Sequence, residues 1–102
     1  MFKWDFEELK VQIGLYIRKY RLVSSLSQFQ LAIEIGLSKD YIGLIERGKT
    51  NPTLEILVDI SNYINLDLSF AILKKSESEL NSLKIEIKEL EKKFKNQNKR
   101  KS

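Results

Sequence analysis

The chain has 102 residues, a net charge of +4, a single Pro, and neither Cys nor His. That length holds one small domain with at most an appendage, and a helical core of this size needs no metal or disulfide staple. The composition excludes a disulfide framework, a cysteine nucleophile, a histidine-based triad and a conventional zinc site, so no cofactor and no metal are expected.

In chain order, the first helix starts at Asp5, an N-cap with Glu8 three residues on. Phe6, Leu9, Ile13, Tyr16, Ile17 and Tyr20 follow at spacings of three and four, one buried helical face. Gly14 lies inside this helix at a cost in propensity, which a close helix contact over it would explain. The second helix opens on Ser27 with Gln30 completing a capping box, and turns Leu31, Ala32 and Ile35 inward. Gly36 suits the left-handed backbone of a tight turn, and Leu37 plugs it. The third helix opens at Ser38, points Ile42 and Ile45 at the core, and stops at Gly48. Residues 27–48 therefore read as two short helices about a turn, the pattern that sets one helix into a DNA major groove. Thr53 caps a fourth helix with Leu54, Leu57, Val58, Ile60 or Ser61, and Ile64 on its buried side.

Residues 66–73 change period. Leu66, Leu68, Phe70 and Ile72 alternate with Asp67, Ser69 and Ala71, which reads as a strand. A lone strand needs a partner, and the economical one is the same strand of a second subunit about a two-fold axis. A fifth helix is the alternative. Ser76 with Glu79 starts a new helix, in which Leu80, Leu83, Ile87, Leu90 and Phe94 occupy heptad a and d positions. That stripe serves either a dimeric coiled coil or packing on its own domain. Residues 95–102 are polar and basic and are expected to fray. The organisation is thus a helix-turn-helix domain over 1–65, a dimerisation strand or fifth helix over 66–75, and an amphipathic tail over 76–102.

Charge is uneven. Residues 76–102 hold 8 basic and 5 acidic residues, so +3, whereas residues 1–75 hold 10 and 9, so +1. With the domain nearly neutral, DNA binding depends on whether Arg18, Lys19, Lys39, Arg47 and Lys49 share a face. No apolar run approaches the roughly 18 residues of a membrane span. The early acids Asp5, Glu7 and Glu8 argue against a signal peptide, and a cytoplasmic location is expected.

Several spacings coincide: Ile17-Arg18 and Arg21, Leu26-Ser27-Gln28, Leu31-Ala32, Gly36-Leu37-Ser38, Tyr41-Ile42, Ile45-Glu46-Arg47-Gly48 and Asn51-Pro52-Thr53-Leu54. Together they resemble the phage-repressor and Cro-like helix-turn-helix regulators, the XRE family. The resemblance implies a mainly α, lambda-repressor-like domain of four or five helices, and a DNA-binding transcriptional regulator rather than an enzyme. It places Gln28 against a DNA phosphate at a helix N-terminus, where free N–H groups and the dipole favour an anion. The alternative for Gln28 is an ordinary exposed first-turn residue. The third helix becomes the recognition helix, facing DNA with Ser38, Lys39, Asp40, Tyr41, Gly43 and Leu44. Lys39 suits guanine, Asp40 suits cytosine N4 or orients Lys39, and Leu44 suits a thymine methyl. Tyr41 serves a phosphate, a sugar or packing. With Gly43 and Leu44 there, readout leans partly on DNA shape. Arg47, Lys49, Thr50 and Asn51 follow on the backbone side, or form a solvated loop. Arg21 and Glu46 match the family's buried ion pair. Relatives have Gly where this chain has Ser25, so that turn needs another geometry or tolerates strain.

The expected partners are double-stranded DNA and a second copy of the chain, with dimerisation through Leu68, Phe70, Ile72, Leu80, Leu83, Ile87, Leu90 and Phe94. The function expected is a dimeric repressor reading a pseudo-palindromic operator. The alternating segment over 66–73 also resembles the C-terminal strand of HipB-like antitoxins. That implies the alternative function, an antitoxin that binds a kinase-like toxin and autoregulates its operon.

Overall fold

The computed structural model describes residues 3–100, with side chains as far as Gln97. Six helices fill the described residues: α1 (Phe6–Val23), α2 (Gln28–Ile35), α3 (Lys39–Glu46), α4 (Leu54–Ile64), α5 (Leu68–Ile72) and α6 (Glu77–Arg100). Each starts on a side-chain cap. Asp5, Ser27, Ser38, Thr53, Asp67 and Ser76 accept the backbone N–H of a residue two or three positions on, satisfying donors that a helix start leaves free. At Ser27 the box is complete, because Ser27 N donates back to Gln30 Oε1 at 2.7 Å.

Four of the helix ends share one device. Ser25, Gly36, Gly48 and Asn65 lie in the left-handed region, with φ of 59°, 72°, 66° and 58°. After each, the next N–H reaches back five residues: Leu26 to Arg21 O, Leu37 to Ala32 O, Lys49 to Leu44 O and Leu66 to Ser61 O. These are the reversed bonds that close a helix around a left-handed residue. Ser25 thus adopts the geometry relatives make with Gly, at a cost of about 1–2 kcal/mol for its Cβ.

The core forms around α1, which packs against α3, α4, α5 and α6. Ile17, Leu31, Ile42, Ile60 and Ile64 are fully buried at its centre. Gly14 is where α1 crosses the end of α3. A Cβ there would meet Ile45 O at 2.5 Å and Glu46 O at 2.6 Å, so the close helix contact expected from the sequence is real. On α4, Ile60, Ser61 and Ile64 are buried as expected, but Leu54 and Val58 are exposed.

Residues 66–73 are not a strand. Asp67 caps α5 by accepting from Ser69 N at 3.0 Å and Phe70 N at 3.4 Å. The Ser69 hydroxyl, bound to the same oxygen, is the main cause holding the Asp67 carboxyl below its usual range. At the other end, Gln12 Nε2 donates to Ala71 O and Leu73 O, both at 2.7 Å, and Lys75 Nζ donates to Phe70 O at 2.7 Å. Hydrogen bonds that a strand would have sought in a second subunit are made within the chain. Ala71, on the polar side of the supposed strand, is the fully buried residue, while Phe70 is 44% exposed. Phe70 packs edge-on against Tyr16 at 5.5 Å, and Lys75 Nζ sits 3.7 Å from its ring centroid. Burial is the main cause pushing the Tyr16 phenol above its ordinary value.

The tail takes the second option left open by its stripe. Leu83 and Ile87 are buried in the common core, and Leu80, Leu90 and Phe94 pack against it. Of the residues assigned to dimerisation, only Phe70 is exposed. Helix α6 runs to Arg100, through the first six of the residues expected to fray; residues 101 and 102 lie outside the described residues. With α5 helical, the resemblance of 66–73 to the strand of HipB-like antitoxins is lost.

Gln12→Leu keeps the volume but removes the donor to one buried and one part-buried carbonyl. Urea unfolding should show a loss of about 2–4 kcal/mol. An unchanged midpoint would mean that α5 does not depend on Gln12.

Candidate nucleic-acid interface

Helix α3 has eight residues, and its two sides are chemically distinct. Ile42 and Ile45 point into the core. Positions 39, 40, 43, 44 and 47 fall within an arc of about 140° at 100° per residue. Lys39, Asp40, Leu44 and Arg47 are exposed there. Ser38, also exposed, spends its hydroxyl oxygen on Tyr41 N at 3.1 Å. Tyr41 is half-buried and packs on the core, which removes it from the freely accessible set.

Gly43 departs from the outward role expected of it. It sits in the middle of the exposed arc but is itself buried. A Cβ would lie 3.1 Å from Arg47 Nη1 and 3.7 Å from the Gln28 amide. The glycine therefore lets Gln28, at the start of α2, and Arg47, at the end of α3, close over α3. Lys49 is exposed just beyond. Asn51 is exposed too, but borders a shallow cleft with Phe6, Lys10 and Pro52, against the first half of α1.

Beneath this surface lies a buried charge cluster. The Glu46 side chain has no exposure. Its Oε2 accepts from Arg21 Nε at 2.5 Å and its Oε1 from Arg21 Nη2 at 3.0 Å, a bidentate pair. Arg21 Nη1 also donates to Leu26 O at 2.8 Å, in the turn before α2. The expected pair of Arg21 and Glu46 is present, and it has further members. Gln28 Nε2 donates to Glu46 Oε1 at 3.0 Å. Arg18 Nε lies 3.6 Å from the same oxygen, and its Nη2 lies 3.3 Å from Glu91 Oε2 on α6. Lys19 pairs with Glu86 at 3.1 Å. Arg18 and Lys19 are thus engaged with acids, so of the five cations in question Lys39, Arg47 and Lys49 remain for an outside anion.

Sequence spacing did not reveal that Glu91, Phe94 and Lys95 of α6 line a groove together with Gln28 and Lys39. That adjacency follows from the register in which α6 docks on α1, and no local motif encodes it. Among the described residues, no group of His, Cys, Asp and Glu is arranged to hold a metal ion. None of their helices is long and apolar enough to cross a membrane.

Residues 17–70, more than half the chain, match the family model HTH_3, described as helix-turn-helix. The chain belongs to this helix-turn-helix family of phage-repressor-like, XRE-type regulators. It is similar to control protein C.SmaI of Serratia marcescens, at 38% identity over 60 residues, covering 59% of this chain and 71% of that protein. It is also similar to HTH-type transcriptional regulator SlrR of Bacillus subtilis, at 43% over 58 residues, 56% of this chain and 38% of the relative. The immunity repressor protein of Bacillus phage phi105 is 31% identical over 75 residues, 69% of this chain and 52% of the relative. The chain therefore spans between about a third and three quarters of these relatives. No solved structure gives a significant match. The matched domain and the relatives named as regulators and repressors support a DNA-binding transcriptional regulator.

The two glycines of this region make opposite predictions. Gly14→Ala drives a methyl into backbone carbonyls and should cost about 2–3 kcal/mol. Gly43→Ala meets chiefly the movable end of Arg47, and should gain up to about 1 kcal/mol from helix propensity. Paired thermal unfolding curves test this; equal destabilisation would contradict the geometry.

Proposed function

We propose that this protein is a transcriptional repressor that binds a pseudo-palindromic operator as a dimer, each copy laying α3 in a major groove. The observation that carries the reading is the exposed arc of Lys39, Asp40, Leu44 and Arg47 beside the start of α2, over a closed scaffold. Lys39 donates to guanine O6 and N7, Asp40 accepts from cytosine N4 or orients Lys39, and Leu44 touches a thymine methyl. Ser38 adds a hydroxyl at the groove end of the helix. Tyr41 supports the helix from its half-buried side. Arg47, Lys49 and Asn51 contact the sugar–phosphate backbone.

Gln28 contacts a phosphate while remaining bound to Glu46, because an amide nitrogen carries two N–H donors and Glu46 takes one. The N–H groups of the first turn of α2 and its dipole favour the same anion. A reading head of so few side chains needs two half-sites for useful affinity, hence the dimer. Repression rests on the relatives named immunity repressor, and follows from occupying a promoter. The antitoxin alternative has lost the strand that suggested it.

In vitro selection of bound duplexes, followed by sequencing, should return two inverted half-sites about one helical turn apart. A single half-site would remove the dimer from the account. On the selected duplex, Lys39→Ala should relax preference at one position by about 1–3 kcal/mol. Lys49→Ala should weaken binding evenly across sequences and lower the salt slope by about 1. Even loss from Lys39→Ala would overturn its role as base reader.

A further inference from the structure

The last turns of α6 start at the edge of the surface assigned above to DNA, with Lys95 beside Gln28 and Lys39. Helix α6 runs alongside α1 in the same direction. Near its start, Leu80 lines a depression with Gln12; further on Glu86 pairs with Lys19; later Glu91 pairs with Arg18. Beyond that, Phe94 and Lys95 border Arg21 and Leu22 near the end of α1, then Ser27, Gln28, Phe29 and Lys39. The groove they share joins α6 to the start of α2 and the start of α3, the two places assigned above to a phosphate and to base edges. The helix continues to Arg100, about 8 Å past Lys95 at 1.5 Å per residue. The long axis of 54 Å against 31 and 21 Å fits a helix that outruns the body it packs on.

Charge along α6 is segregated in the same sense. The acids Glu86 and Glu91 are spent on α1, and no acid follows Glu91. From there to the end stand Lys92, Lys93, Lys95, Lys99, Arg100 and Lys101. Lys92, Lys93 and Lys95 are exposed. Glu86 and Glu91 tie the helix to its own domain, and only cations follow them along α6.

We infer that the end of α6 is a second DNA contact, a basic arm that binds backbone phosphates flanking the half-site read by α3. Lys95 is its innermost member, beside Gln28 and Lys39. The inference rests on the DNA-binding reading above. It assigns the arm affinity and salt dependence but no base preference, because lysines on a helix end meet phosphates as point charges.

The test uses the full chain with Lys95→Gln, Lys99→Gln and Arg100→Gln combined. Gln keeps helix propensity, and Phe94 stays in place. Fluorescence anisotropy gives affinities for a mixed-sequence 40-base-pair duplex and for the selected duplex across a salt series. Binding to both should fall about tenfold or more at low salt, with their ratio kept, and the slope of log K against log salt should shrink by about 2–3. A control with Lys84→Gln and Lys88→Gln, exposed cations nearer the start of α6, should leave affinity and slope within twofold of the parent.

Unchanged affinity and slope in the triple variant would overturn the arm. So would a rise in affinity, which would make the helix end a cover over the interface, or an equal loss in the control, which would reduce the effect to net charge. A parent chain that binds neither duplex would sink the DNA-binding reading itself. That result is distinct from one in which parent and variant bind alike.

Discussion

One buried carboxylate ties this structure together. Glu46 ends α3 with no solvent on its side chain. Its bonds run to Arg21 on α1 and to Gln28 at the start of α2, and Arg18 approaches the same oxygen. A buried acid is costly unless it is paired and its remaining lone pairs are filled. Glu46 meets that condition only when α1, α2 and α3 hold one arrangement. The pair therefore contributes orientation more than net stability. Gly14 works to the same end, since the lack of a side chain lets α1 approach the backbone of Ile45 and Glu46.

The parts of the fold encoded within a few residues were legible in the sequence. Asp5, Ser27, Ser38, Thr53 and Ser76 were readable as caps, because capping depends on a side chain and an N–H three residues away. Gly36 and Gly48 were readable as helix ends for a similar reason. Ser25 and Asn65 do the same work without being glycine, so the turn chemistry hid them. The misreading at 66–73 is instructive. Alternation over eight residues outweighed an N-cap at Asp67, and the partners that settle the matter, Gln12 and Lys75, are 59 and 5 residues from the carbonyls they bind. A period measured within the segment contains no information about Gln12.

The interface divides along the same line. Lys39, Asp40, Leu44 and Arg47 share one helical arc, and 3.6 residues per turn is enough to find them. Tyr41 and Gly43 were placed on that arc as well, yet one is half-buried and the other lies under Gln28 and Arg47. Cations counted from the sequence also divide in a way only tertiary structure reveals. Arg18 and Lys19 are engaged with acids of α6, whereas Lys95 of α6 is exposed and lines a groove with Gln28 and Lys39.

If Glu46 sets orientation rather than stability, the two properties should separate when the pair is removed as a unit. The decisive measurement compares Glu46→Met, Arg21→Met and the double variant, each by urea unfolding and by affinity for the selected duplex. Each single variant should lose about 3–5 kcal/mol, and the double variant should recover most of it. Its affinity should nevertheless stay well below that of the parent, because Gln28 has lost its acceptor. Recovery of full affinity together with stability would contradict the account, and would make Glu46 a structural partner of Arg21 with no hold on the DNA-facing surface.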